Sequence, residues 1–123
     1  MSEGIVELNL EFTNFKNMHI IPSSVQKLSL QNIPKISSLM FKQIKSLDLK
    51  FSERTDFKSN YFYNLEELQK LTLTNCTLKK SNCEALNFLP NLRSVKLTKV
   101  ALNGNLNNLK MFTAIDCTFY GAC

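Results

Sequence analysis

The sequence predicts one repeat domain of the α/β class: a solenoid of short strands, irregular return segments and a few short helices. Apolar residues recur with the spacing L-x-x-L-x-L in six successive segments, and all eighteen of these positions are apolar. The segments begin 20, 19, 24, 24 and 17 residues apart, close to one period. Within each segment the fourth to sixth positions alternate between apolar and polar types, as in a strand with one buried face.

The predicted repeats cover residues 5–119, with short termini at 1–4 and 120–123. They begin at Ile5, Val25, Ile44, Leu68, Leu92 and Leu109. The fourth repeat, residues 68–78, reads L-x-x-L-x-L-x-x-C-x-L. This resembles the leucine-rich-repeat family, whose signature is L-x-x-L-x-L-x-x-[NC]-x-L at a period of 20 to 29 residues. The resemblance implies a leucine-rich-repeat solenoid with parallel strands on a concave side and return segments on a convex side.

The return segments differ in length and chemistry. Those of the 24-residue repeats have room for a short helix, and Ser81 followed by Glu84 has the spacing of a capping box. Ala85, Leu86 and Leu89 would then face inward. Repeats two and three depart from the family pattern, because Lys35 and Arg54 occupy the normally apolar eleventh position. We therefore expect irregular backbone where the chain leaves those two strands.

Composition places the chain among ordinary folded domains. Of its 123 residues, 44% are hydrophobic and 20% are charged, and no apolar run approaches the roughly 20 residues needed to cross a bilayer. The first residues, 1–4, lack the basic start and apolar core of a secretory signal. These features predict an intracellular, cytoplasmic protein without a membrane partner.

Metal, cofactor and enzyme chemistry find little support. The four cysteines form no Cys-x-x-Cys pair, so reduced and mostly buried thiols are favoured over a zinc site. The chain has three glycines and no phosphate-binding loop. Its single histidine, His19, lies in a predicted return segment, where no nucleophile and orienting group accompany it. We predict a protein that is not an enzyme, with neither cofactor nor metal.

The outward strand positions predict a polar face. Its proposed partner-binding residues are Lys27, Asp48, Lys50, Lys70, Thr72, Lys96 and Thr98. The functional interpretation is a docking surface for a partner of mixed charge. The alternative is a polar face that is simply covered by water.

Net charge is +5, and thirteen of the fifteen basic residues are lysine. A possible phosphate-binding patch comprises Lys70, Arg93, Lys96, Lys99 and Lys110. The scarcity of arginine argues against sequence-specific recognition of nucleic-acid bases. RNA contact, in a ribonucleoprotein or ribosome-associated component, therefore remains the alternative function.

The ends of the repeat array predict an interface. Solenoids need caps, since terminal repeats otherwise expose their cores. The first strand begins near Ile5 without room for a cap. Phe112 and Phe119 lie in the last repeat, and Tyr120 directly follows it. Either these ends pack against a partner, which includes a second copy, or segments such as 16–22 fold over them. The leading prediction is a non-catalytic interaction module, a small adaptor or assembly subunit that binds a protein through the concave face or its uncapped ends.

Overall fold

The computed structural model describes residues 7–11, 24–31, 42–106 and 111–119. This part of the chain contains eight strands and one helix. In chain order they are β1 (Glu7–Glu11), β2 (Lys27–Gln31), β3 (Ser46–Asp56), β4 (Lys70–Leu78), α1 (Lys80–Phe88), β5 (Ser94–Thr98), β6 (Ala101–Leu102), β7 (Met111–Ile115) and β8 (Thr118–Phe119).

Six strands form one parallel ladder, here called the main ladder, in the order β1-β2-β3-β4-β5-β7. Each strand pairs with the next through the same repeat positions, as where Leu71 lies opposite both Leu47 and Val95. Neighbouring strands of the main ladder follow one another in the chain, so each return segment carries the chain one strand further. The prediction of a solenoid with parallel strands is confirmed. The predicted few short helices are represented by α1 alone among the described residues.

A second, shorter ladder follows the main one. It runs from the end of β3 through the end of β4 to β6 and β8, and all of its pairs are parallel. Between the two ladders the chain turns at Asn75, Lys99 and Asp116, whose φ angles are 62°, 54° and 52°. All three residues occupy the eighth repeat position. A left-handed residue therefore forms the same corner in three successive turns, a conformation that asparagine and aspartate tolerate better than lysine.

The corner of the third repeat is different. The pairing of β3 with β4 shifts register between Lys50 and Thr55, so β3 carries additional residues there. Arg54 lies in this irregularity, exposed, and its Nη1 donates to the backbone oxygen of Cys76 at 3.2 Å. The irregular exit predicted for this repeat is present. Lys35, which marks the predicted irregularity of repeat two, lies outside the described residues.

The core is a column of inward-facing strand residues. At the fourth and sixth repeat positions of β2 to β5 every side chain is at most 2% exposed. These residues are Leu28, Leu30, Leu47, Leu49, Leu71, Leu73, Val95 and Leu97. Because each parallel strand places the same positions side by side, the column is continuous along the solenoid.

An aromatic cluster lies in the return segment that connects β3 to β4. The ring centroid of Phe57 lies 4.6 Å from that of Tyr61 and 5.1 Å from that of Phe62. Phe62 is fully buried and Phe57 is 3% exposed. Ring pairs at such distances add to the stabilisation from burial itself.

Helix α1 is capped two residues earlier than predicted from the spacing of Ser81 and Glu84. Its N-cap is Lys79, and the cap comes from Asn82, whose Oδ1 accepts from the Lys79 amide at 3.0 Å. Asn82 is fully buried, and its Nδ2 donates to the Lys58 carbonyl at 2.9 Å. Ser81 lies within the helix and is not the cap. With nine residues, α1 is too short to cross a bilayer, and the described residues contain no other helix.

We expect Asn82→Ala to lower the free energy of unfolding by about 2–4 kcal/mol, because the Lys79 amide and the Lys58 carbonyl, in two partly buried hydrogen bonds, both lose their partner. Ser81→Ala is the matched control and should change it by less than about 0.5 kcal/mol. Urea denaturation of both variants measures the difference. Equal losses would mean that the hydrogen bonds of Asn82 do not contribute specifically to stability.

Lys99→Gly should stabilise the fold by about 0.5–1 kcal/mol, since lysine at a left-handed corner carries backbone strain that glycine lacks. Asn75→Gly is the contrasting change. Asn75 Nδ2 donates to the Phe51 carbonyl at 3.1 Å, so glycine there removes a hydrogen bond and should destabilise the protein. Thermal melting of the two variants should move in opposite directions.

Candidate interaction surfaces

The outward side of the main ladder, here called the ladder face, consists of three rows of side chains. The strand pairing aligns the third, fifth and seventh repeat positions across neighbouring strands. From β2 to β7 the rows read Lys27, Ser46, Lys70, Ser94, Met111; Ser29, Asp48, Thr72, Lys96, Thr113; and Gln31, Lys50, Thr74, Thr98, Ile115. All seven residues predicted to bind a partner lie on this face.

Short and long side chains alternate on the ladder face. The lysines Lys27, Lys50, Lys70 and Lys96 are exposed, whereas Thr72 and Thr98 are half-buried between them. Lys27 and Lys70 share a row two strands apart, which is roughly 10 Å between backbones. The lysines stand above a floor of hydroxyl groups, so their ammonium groups are the first atoms that an approaching molecule meets.

Asp48 lies in the middle of this face. It is half-buried, and its Oδ1 is enclosed without a hydrogen-bond donor. Burial raises the pKa of the carboxyl group, and this effect outweighs the opposing attraction of Lys50, Lys96 and Lys70, which lowers it. The lysines around Asp48 therefore compensate only part of the cost of its ionisation.

Asp48→Asn should stabilise the protein at about pH 7, and the gain should disappear at about pH 3. The folded pKa of Asp48 is higher than the unfolded one, so ionisation costs more in the folded state. Its contribution to stability is greatest below the unfolded pKa and is lost as pH rises through the folded pKa. Melting curves at several pH values test this, with the exposed Asp56→Asn as control. A loss of stability at neutral pH would mean that attraction to the lysines exceeds the cost of burial.

The described members of the predicted phosphate-binding set are spread along the strand direction. Lys70 and Lys96 lie on the ladder face, and exposed Arg93 directly precedes β5. Lys99 forms the corner after β5, five residues along the strand direction from Ser94, the partner of Lys70. At about 3.3 Å per residue this separates it from the Lys70 row by roughly 16 Å. Lys110 lies outside the described residues.

The last turn exposes side chains that face the core in every earlier described turn. Phe112 is paired with Val95 in the main ladder, yet Phe112 is 42% exposed and Val95 is 1% exposed. In the second ladder Phe119 is 58% exposed and its neighbour Leu102 is 3% exposed. Among the described residues β7 and β8 each pair on one side only.

We call this surface of β7 and β8 the open end. Met111 and Ile115 extend it onto the ladder face, at 65% and 44% exposure. The third residue of the predicted terminal interface, Tyr120, lies outside the described residues. An apolar surface bordered by unpaired strand edges is typical of an interaction site.

The described cysteines are thiols in apolar surroundings. Burial raises the pKa of Cys76 to about 12 and that of Cys83 to about 11. Both thiols therefore carry their protons at neutral pH. Thiolate chemistry and metal binding need the deprotonated form instead. Over residues 7–11, 24–31, 42–106 and 111–119, no three His, Cys, Asp or Glu side chains lie close enough to hold a metal ion. His19 lies outside these ranges.

Comparison of the chain with protein-family models, with curated proteins and with solved structures finds no match.

Two exposed aromatic residues were missed by the sequence analysis. Tyr63 and Phe88 are 60% and 84% exposed, on the side of the solenoid that carries α1. They belong to return segments, which have no repeat period, so nothing in the L-x-x-L-x-L spacing predicts whether they face the core or the solvent.

Proposed function

We propose that this protein is a non-catalytic interaction module of the leucine-rich-repeat type, an intracellular adaptor or assembly subunit that binds a protein partner through its open end. The ladder face, next to the open end through Met111 and Ile115, forms a polar border to the same contact. Met111 and Ile115 continue two of its rows, so one partner can touch both surfaces.

The exposure of the last core positions is the observation that carries this proposal. Transferring a phenylalanine side chain fully out of water contributes about 1.5–3 kcal/mol. Phe112 and Phe119 are partly exposed in the isolated chain, so they gain only part of this free energy of burial. A partner that stacks on the open end gains the remainder and can also pair with the edge of β7.

The alternative function, contact with RNA, is favoured by the four exposed lysines of the ladder face. Phosphates would neutralise these charges, and such binding weakens steeply as salt rises. Asp48, in the middle of the same face, opposes it, because its carboxylate repels phosphate.

The native size of the protein in cell lysate, with and without ribonuclease, separates these functions. A protein contact at the open end predicts a complex that survives both ribonuclease and high salt. If ribonuclease disperses the complex, the partner is RNA and the proposed protein contact is wrong. Migration as a free monomer would contradict both.

Phe119→Asp should abolish the salt-resistant complex, since it places a charge in the apolar contact. Asn60→Asp adds the same charge at an exposed position between β3 and β4 and should leave the complex intact. Both variants are first compared with the parent by melting temperature, so that loss of folding is recognised. An unchanged complex in Phe119→Asp would rule out the open end.

A further inference from the structure

A groove of about 400 Å³ lies on the side of the solenoid away from the ladder face. One wall is the segment before β4, with Tyr63 and Glu66, and the other is α1, with Glu84 and Phe88. Ala85 and Leu89 line its floor and are 7% and 8% exposed. Its volume lies within the range of ligand sites in proteins.

Aromatic side chains stand at the groove with most of their surface in water. Six large hydrophobic residues are exposed in the described part of the chain, and four of them belong to the open end. The other two are Tyr63 and Phe88, and both line the groove. Two exposed rings at one concave site form a surface for a ligand, since folding alone leaves them unburied.

The charge of the groove is opposite to that of the chain. Among the described residues that line it, Glu66 and Glu84 are the charged ones, and none is a lysine or arginine. The whole chain carries 15 Lys+Arg against 10 Asp+Glu. Carboxylates beside aromatic faces favour binding of a cationic ligand, because carboxylates and ring faces both attract positive charge.

Two asparagine side chains hold the walls together. Buried Asn82 in α1 donates to the Lys58 carbonyl at 2.9 Å, and Asn91 donates to the Glu66 carbonyl at 2.7 Å. Beneath the first wall, Phe62 and Leu65 are fully buried. The groove is therefore formed before any ligand arrives, so binding costs little ordering of the protein.

We propose that this groove binds an arginine or lysine side chain presented by a segment of a partner protein. The aliphatic stem lies over Ala85 and Leu89, and the cationic head is placed between Glu66 and Glu84 and next to the rings. Long basic side chains combine an apolar stem with a charged tip, which matches this floor and rim. The site is separate from the open end and does not depend on the function proposed for it.

The test is titration of the ¹⁵N-labelled protein with the peptide acetyl-Ala-Arg-Ala-amide, followed by amide chemical shifts at about 50 mM salt, where charge attraction is strong. Shifts should concentrate in residues 61–67 and 81–90. The matched peptide with citrulline in place of arginine keeps the shape without the charge and should give no saturable shifts.

The double variant Glu66→Gln and Glu84→Gln should weaken the peptide's binding by about tenfold or more, since both charge-assisted contacts are lost. Glu67→Gln is the control, because Glu67 is exposed beside Glu66 but does not line the groove; it should change the affinity by less than about twofold. Phe88→Ala should also weaken binding if the ring contacts the cation.

Three results would overturn the proposal. These are equal effects of Glu67→Gln and the double variant, equal binding of the citrulline peptide, and saturable shifts confined to the ladder face or the open end. Absence of saturation at about 10 mM peptide, weaker than any useful contact, would also overturn it. All variants change exposed side chains, and their amide spectra show directly whether the fold is kept.

Discussion

Stacking of identical repeat positions in the main ladder is the constraint on which the rest of the structure depends. Each parallel strand places its fourth and sixth residues beside those of the next strand, and these leucine and valine side chains bury one another almost completely. A slip of one residue would turn that column toward solvent, because strand side chains alternate between faces. The register that buries the column therefore also fixes which residues form the ladder face. The strand register of the main ladder thus determines both the buried column and the exposed ladder face.

Much of this arrangement could be predicted from the sequence, because strands of period two leave a clear pattern. The six strands and the rows of the ladder face follow from L-x-x-L-x-L alone. The pattern could not tell that Thr72 is half-buried while Lys70 beside it is exposed, since that depends on side-chain length across neighbouring strands. Nor could it locate the two-residue strands β6 and β8, which are too short to show a period.

Other features escaped prediction because long-range contacts decide them. The start of α1 is set by Asn82, whose amide reaches the carbonyl of Lys58, 24 residues earlier, while the local pattern favours Ser81. Asn75 and Asp116 are residues that accept a left-handed corner, and their shared eighth position was a signal that could have been recognised. Lys99 carries no such signal, and only the repeat geometry imposes the corner on it. The groove between Tyr63 and Phe88 arises from return segments of unrelated sequence.

The asparagine side chains have a consequence for how the turns cooperate. Asn75, Asn82 and Asn91 each donate to a backbone carbonyl 24 or 25 residues earlier, so each amide connects a turn to the one before it. Among the described residues, Asn91 before β5 carries the last of these asparagine links, and the described core positions are most exposed in β7 and β8. Local opening should therefore follow a gradient, with amide protons around β4 exchanging slowest and those of the last turn fastest. The protein is then least rigid at the open end, the site proposed for a partner, and binding there would slow amide exchange in the preceding turns as well.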